Sequence, residues 1–328
     1  MMPDEACAES TPPTRSIRVL VLMGGPDAER EVSISGGREV ARALRVNPKF
    51  EVIERVVDVP TVQMLANEHA DVVFPVLHGP FGEGGPLQEV LEALGVPYIG
   101  CGPKAAALAI DKVATKLLVA AAGVRTPGAC ELRPGEPLKL APPIVIKPIN
   151  DGSSVDLRIC HTNAEVAQAR VDLEAKRSRL FAESFIKGRE VTVGMIDGEV
   201  LPIIEILPAV AFYDYEAKYT REDTQYILDP VFAPGVGESL VEFTRKAWSA
   251  MGCRDIARAD YIVDESGAWF LEINTMPGMT THSLVPKAAQ HIGLSMPQLC
   301  TRLVECALSR GGIRQSPTRF NDFASPSR

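Results

Sequence analysis

A chain of 328 residues is too long for one ordinary core, so two or three domains are expected. Hydrophobic residues at 46% and charged residues at 23% are the make-up of a folded soluble protein rather than a disordered or membrane chain. A net charge of −8 argues against a nucleic-acid partner but leaves room for a small anion held by local Lys, Arg or metal.

The N-terminus, MMPDEACAESTPPT, is polar and acidic, and is expected to be neither signal peptide nor anchor. Ser16–Met23 reads as a buried strand running into Gly24-Gly25 and then a helix from about Ala28 to Leu44. Strand, glycines and helix open an α/β sheet, with ligands expected at the strand's carboxyl end. No Gly-x-Gly-x-x-Gly follows, which speaks against a nicotinamide dehydrogenase. Glu29 and Glu31 fall in the first helical turn, where an acid complements the helix dipole and is also placed to hold an ammonium group.

Lys49–Asp58 and Asp71–Leu77 read as further strands, with a short helix at Thr61–His69 between them. His78 then begins a Gly-rich loop, HGPFGEGG, placed for ligand contact. A helix at Leu87–Leu94 and a short strand at Val96–Ile99 follow. Pro103 opens a helix carrying Asp111, Lys112 and Lys116, two lysines at a spacing that usually makes a solvated face.

Pro134 to Pro143 is a proline-punctuated connection. Ile144–Lys147 is a strand ending in lysine, and Asn150-Asp151-Gly152-Ser153-Ser154 follows as a small polar turn. That combination suits a phosphate clamp, though it is not the Walker pattern. Next come a helix at Asn163–Arg177, strands at Leu180–Phe185 and Arg189–Ile196, and a turn at Asp197-Gly198 into a strand at Val200–Ile206. Ala211–Tyr226 holds FYDYEAKY, an irregular polar and aromatic loop of the kind that carries function. Ser239–Met251 is an amphipathic helix, another starts near Leu284, and the tail from Ser309 has a disordered composition. The seven cysteines show no paired zinc-type spacing and fit reduced thiols in a cytosolic protein.

The richest stretch is Arg258 to Leu284, whose strands Ala257–Val263 and Trp269–Asn274 flank the turn residues Asp-Glu-Ser-Gly. Centred near Ser266, the hairpin sets Asp260 opposite Glu272 and Arg258 opposite Asn274. Facing carboxylates repel, and a hard dication between them removes that cost. A solvent-facing charged hairpin is the other reading of these residues taken alone.

The segments AEREVS, FPVLHGPFGE, AIDKVATK, IVIKP, DGSS, FYDYEAKY, CRDIARADYIVD and LEINTMPGMTTHSLVP, in that order from about Ile17 to Leu303, together resemble the D-alanine–D-alanine ligases of the ATP-grasp superfamily. The resemblance implies an α/β fold, α+β in its ATP-grasp part, with an N-terminal open parallel sheet. It divides the chain into a Rossmann-like substrate domain (16–102), a central ATP-grasp subdomain (103–187) and a metal-binding ATP-grasp subdomain (188–308), with disordered ends at 1–15 and 309–328. ATP and two Mg²⁺, or Mn²⁺ in their place, are the implied cofactors, held by Asp260, Glu272 and Asn274. Lys112, Lys147, Ser154 and Lys218 match phosphate contacts; Glu183, Phe185 and Ile186 match the adenine hinge; Glu190 matches the ribose acid.

On the substrate side Glu29 matches the anchor of the first D-alanine's ammonium, with Val32 and His78 beside it. Ser153 and Tyr219 match the lid residues that bond to that glutamate. Arg258 and the Gly278 N–H match the oxyanion donors, and Ser283 and Leu284 the second carboxylate's site. The implied reaction is D-alanyl-D-alanine synthesis for peptidoglycan in a cytoplasmic homodimer, with no nucleic acid or membrane partner. The uninterrupted loop with Tyr219 favours a dipeptide over a depsipeptide. Two departures stand out: Gly84 replaces an aspartate usual in the family, and Asp156 a common glycine. They keep open an impaired nucleotide-binding protein as an alternative, beside a ligase for another amino or hydroxy acid pair.

Overall fold

Strand β1 (Ile17–Gly24) lies at the middle of a parallel sheet, with β2 (Phe50–Val57) on one side and β3 (Val72–Pro75) on the other. The computed structural model describes residues 15–150, 152, 156–207 and 224–311. Val19 to Met23 are fully buried, as a strand covered on both faces requires. Helix α1 (Arg30–Leu44) lies close against that strand, and a Cβ at Gly37 would stand 2.6 Å from the Met23 side chain. The expected strand at 96–99 is reduced to one bridge between Val73 and Tyr98. The expected loop after His78 holds a turn of helix, α3 (Gly79–Glu83), after the short α2 (Val62–Ala66) and before α4 (Pro86–Leu94). Pro80 at its start pre-sets a helical φ.

The helix expected from Pro103 through Lys116 is two helices, α5 (Pro103–Ile110) and α6 (Lys112–Ala121). Asp111 divides them: it is extended, and its carboxylate accepts from the N–H groups of Val113 and Ala114 as an N-cap. A second, antiparallel sheet follows in the order β4-β7-β5-β6, formed by β4 (Ala129–Leu132), β5 (Ile144–Pro148), β6 (Arg158–Cys160) and β7 (Leu180–Ser184). Helix α7 (Asn163–Glu174) packs on it through Val166, Ala169 and Leu173. Both edge strands, β4 and β6, are too short to show an alternating pattern in the sequence.

The third sheet runs β10-β9-β8-β11-β12, from β8 (Arg189–Ile196), β9 (Glu199–Leu207), β10 (Gln225–Leu228), β11 (Ile256–Asp264) and β12 (Gly267–Asn274). One face packs on α8 (Val236–Met251), burying Ala257, Ala259, Tyr261 and Val263 with Leu240 and Ala247. The opposite face, carrying Arg258, Asp260 and Ile262, is only half-buried. Two helices close the described chain, α9 (Leu284–His291) and α10 (Met296–Arg310). Ser309 and Arg310 thus belong to a helix rather than to the tail, and 312–328 lie outside the described residues. Arg310 Nη2 donates to the Tyr98 carbonyl at 2.9 Å and to Asp255 Oδ2 at 2.7 Å, tying the first sheet to the approach of β11. Of the expected 211–226 loop, Gln225 and Tyr226 form part of β10 and 211–223 lie outside the described residues.

Candidate active site

In the β11–β12 hairpin Arg258 pairs with Asn274 and Asp260 with Glu272, as the centring on Ser266 requires. A bulge produces that register. Nearer the turn Asp264 pairs with Gly267 and Tyr261 with Phe270, so Leu271 is an extra residue on β12. Without it the turn would set Asp260 opposite Leu271 and send Glu272 to the core face. Asp260 is tightly organised: Oδ1 accepts from Thr192 Oγ1 at 2.6 Å and Arg258 Nε at 2.8 Å, and Oδ2 from Arg258 Nη2 at 2.8 Å and Asn274 Nδ2 at 3.0 Å.

No group of three or more His, Cys, Asp or Glu able to hold a metal exists among the described residues. Two carboxylates and an amide still suit Mg²⁺, which keeps several waters and takes its remaining oxygens from substrate phosphates. The donor set is all oxygen once the Asn274 amide turns Oδ1 inward, so these residues fit the ion.

Helix α6 reverses the solvated-face expectation. Lys112 and Lys116 are only 7% and 4% exposed. Their spacing of four puts both on one helix face, and each reaches a different sheet. Lys112 Nζ lies 3.4 Å from Glu272 Oε2 in the third sheet, and Lys116 Nζ lies 2.7 Å from Glu183 Oε2 in the second. Lys147, on β5, takes the other Glu183 oxygen at 2.6 Å. Burial pushes the Glu183 carboxyl up, but Lys116 and Lys147 outweigh it and hold it at about 2. Burial likewise works against the Lys147 ammonium, yet Glu183, Glu272 and Asp260 leave its pKa raised. Lys116 is shifted downward, chiefly by burial, with Lys147 adding to the effect.

Beyond Glu183 the hinge segment is pinned by its backbone: the Ser184 N–H donates to Gly128 and the Phe185 N–H to Pro143. Glu190 lies two residues before Thr192 on β8, and so shares the half-buried face with Asp260.

At the carboxyl end of β1, Glu29 is the N-cap of α1 with Val32 one turn on, and the Gly24 N–H donates to Ser33 Oγ at 2.7 Å. Gly152 runs beside Glu29; a Cβ there would be 3.7 Å from Oε1. His78 Nδ1 lies 2.9 Å from Glu83 Oε1, while its buried Nε2 has no hydrogen-bond partner among the described residues. Burial lowers the His78 pKa, but Glu83 and Glu29 leave it raised overall. Gly278 packs against Ser283, where a Cβ would stand 2.8 Å from Oγ. The Thr280 N–H donates to that Oγ at 3.1 Å, and Leu284 then opens α9. Ser153, Ser154, Lys218 and Tyr219 lie outside the described residues.

Direct contacts make three groups, Lys112 with Glu272, Lys147 with Glu183, and Arg258 and Asn274 with Asp260; the Asp260–Glu272 strand pairing and helix α6 link them, and Lys116 and Thr192 are members absent from the sequence-based expectations. Lys116 follows from Lys112 by helical spacing, and Thr192 from Glu190 by strand alternation. Glu83, the His78 partner, stood inside a quoted motif without a role.

Two family models match the chain, one described as the D-ala D-ala ligase C-terminus over residues 129–305 and one as the D-ala D-ala ligase N-terminus over 59–101. The D-alanine–D-alanine ligase of Citrifermentans bemidjiense is 42% identical over 293 residues, covering 88% of this chain and 96% of the relative. The chain belongs to the D-alanine–D-alanine ligase family. The crystal structure of the Bacillus anthracis D-alanine–D-alanine ligase superposes with a TM-score of 0.81 at 32% identity, covering 90% of this chain and 98% of that one. The same enzyme complexed with ATP gives 0.79 at 31% identity, with the same coverage.

Both departures from the ligase pattern have a local structural setting. Gly84 closes α3, and a Cβ there would lie 2.3 Å from the Pro80 carbonyl oxygen. Asp156 sits at φ 55, a left-handed position that suits the glycine common in ligases and that Asp tolerates better than most residues. Its carboxylate is paired with Arg177, at 2.7 Å from Nε and 2.6 Å from Nη2. A lone carboxylate there would repel a nearby triphosphate, but Arg177 compensates this one.

Proposed function

We infer that this chain joins two D-alanines into D-alanyl-D-alanine, with ATP converted to ADP and phosphate, in the synthesis of the peptidoglycan precursor. The relatives named as D-alanine–D-alanine ligases support the reaction. The observation that carries it onto this chain is the opposed pair Asp260 and Glu272, with Asn274 beside them and Lys112 on Glu272. Carboxylates are poor acyl donors. The γ-phosphoryl group of ATP passes to the carboxylate of the first D-alanine, giving an acyl-phosphate and ADP. The uncharged amine of the second D-alanine attacks the acyl carbon, and the tetrahedral adduct expels phosphate to leave the amide.

In this reading Asp260, Glu272 and Asn274 would hold two Mg²⁺, or Mn²⁺, supplying positive charge to the transferring phosphoryl group. Lys112 and Lys147 add fixed cations to the phosphates, and Glu183, Phe185, Ile186 and Glu190 seat the nucleoside. Glu29 binds the first ammonium, with Val32 and His78 lining that subsite. Arg258, oriented by Asp260, and the Gly278 N–H stabilise the oxyanion, each such donor being worth ~3 kcal/mol. Ser283 and the start of α9 at Leu284 receive the second carboxylate. Roles for Ser153, Ser154, Lys218 and Tyr219 rest on the sequence motifs. We place the enzyme in the cytoplasm as a homodimer, divided at 16–102, 103–187 and 188–308; no described helix is long and apolar enough to cross a membrane.

The test is coupled ADP release by the purified chain with ATP, Mg²⁺ and D-alanine as the sole acceptor, beside L-alanine and D-lactate. D-alanine-dependent release with dipeptide formed is the expected result. ATP binding without D-alanine-dependent turnover would overturn the reading.

A further inference from the structure

Helix α1 bears on more than the first subsite. Glu29, Val32, Gly36 and Glu39 follow at intervals of three, four and three, so they form one stripe along the helix. Its N-terminal end is the Glu29 subsite. Further along, Gly36 brings the helix against the strand-to-helix segment after β12: a Cβ there would stand 3.8 Å from the backbone N and C of Met279. One turn on, Glu39 Oε2 accepts the Thr281 backbone N–H at 2.7 Å.

The segment held in this way contains Gly278 and Ser283. Its internal bonds close it only on itself, with Ser283 Oγ tied to Thr280 N at 3.1 Å and Oγ1 at 2.9 Å and the Ser283 N–H donating to the Thr280 carbonyl. Glu39 fixes it to another element. We propose that Glu39 is a positioning residue that docks the 278–283 turn on α1 and thereby sets the affinity for the second D-alanine. The carboxylate touches neither substrate; it acts through the Thr281 amide. This role rests on the ligase reading above. One helix then places the ammonium anchor of the first substrate and the carboxylate site of the second at a fixed separation.

The test compares Glu39→Ala and Glu39→Gln with the parent enzyme in two measurements. In ADP-release kinetics fitted with separate constants for the two D-alanines, Glu39→Ala raises the second constant by about tenfold, the effect of losing one charge-assisted hydrogen bond. The first constant and the KM for ATP stay at parent values, and kcat falls by less than the second constant rises, because Gly278 lies in the same turn but three residues from the tether. Glu39→Gln keeps an acceptor oxygen and restores most of the second constant. In hydrogen exchange of the ligand-free protein, Glu39→Ala speeds exchange at 279–283, a readout that does not depend on turnover. Unchanged exchange there, an equal rise in both D-alanine constants, or no rescue by glutamine overturns the proposal. A parent chain inactive with D-alanine overturns the ligase reading instead, while the exchange result still decides whether the tether exists.

Discussion

Lys116 Nζ and Glu183 Oε2 lie 2.7 Å apart in the interior, joining helix α6 to strand β7, and Lys147 holds the second carboxylate oxygen. Two buried cations thus share one buried anion. Removing the anion takes the direct partner from both ammonium groups and leaves Lys147 only the influence of Glu272 and Asp260, a loss of about 3–5 kcal/mol for a broken buried pair. Glu183→Gln is expected to be destabilised by that order in urea unfolding of the ATP-free protein.

The same carboxyl sets an acid limit. Its folded value of about 2 lies below the ordinary 4.5, so its stabilisation is complete above about 4.5 and is lost as pH falls toward 2. Glu183→Gln should therefore differ most from the parent above pH 4.5, and the difference should shrink between 4.5 and 2. A constant difference across that window in denaturation midpoints would falsify this assignment.

Asp260 is held by Thr192, Arg258 and Asn274 at once. Asp260→Asn removes the charge while keeping the shape. Turnover should fall by more than the ~10–100-fold typical of losing an outer-shell partner, and the Mg²⁺ concentration for half-maximal rate should rise. Initial rates across a Mg²⁺ titration check this; unchanged kinetics would take Asp260 out of the metal site.

Restoring the ligase family's aspartate at Gly84 should harm this chain. The new Cβ would meet the Pro80 carbonyl oxygen at 2.3 Å and Ile110 Cδ1 at 3.3 Å. Overpacking of this kind costs about 1–3 kcal/mol, and it displaces the helix that presents Glu83 to His78. Gly84→Asp should show a lower Tm and a higher KM for the first D-alanine.

Asp156→Gly tests the other departure. Glycine relaxes the left-handed backbone but gives up a half-buried pair with Arg177, and such pairs are worth about 0–1 kcal/mol. The two effects oppose each other, so stability should move by less than ~1 kcal/mol and turnover stay near the parent. A marked gain in turnover would show that the aspartate had been opposing ATP after all.

The sequence by itself determined the strands whose ends the structure reproduces, as at Arg189–Ile196, and the start of α9 at Leu284, because alternation and helix-start signals act within a few residues. It also carried the ligase motifs, in which residue types report chemistry directly. Tertiary structure decided what no local pattern encodes. The Asp260–Glu272 pairing was anticipated, but it depends on Leu271 bulging out, because Ala268 and Phe270 face the core on one phase of the strand and Ile273 on the other. Lys112 and Lys116 look like surface residues until their distant partners Glu272 and Glu183 compensate their burial. Charge burial and strand phase are set by what packs against a residue, and here those neighbours come from parts of the chain far away in sequence.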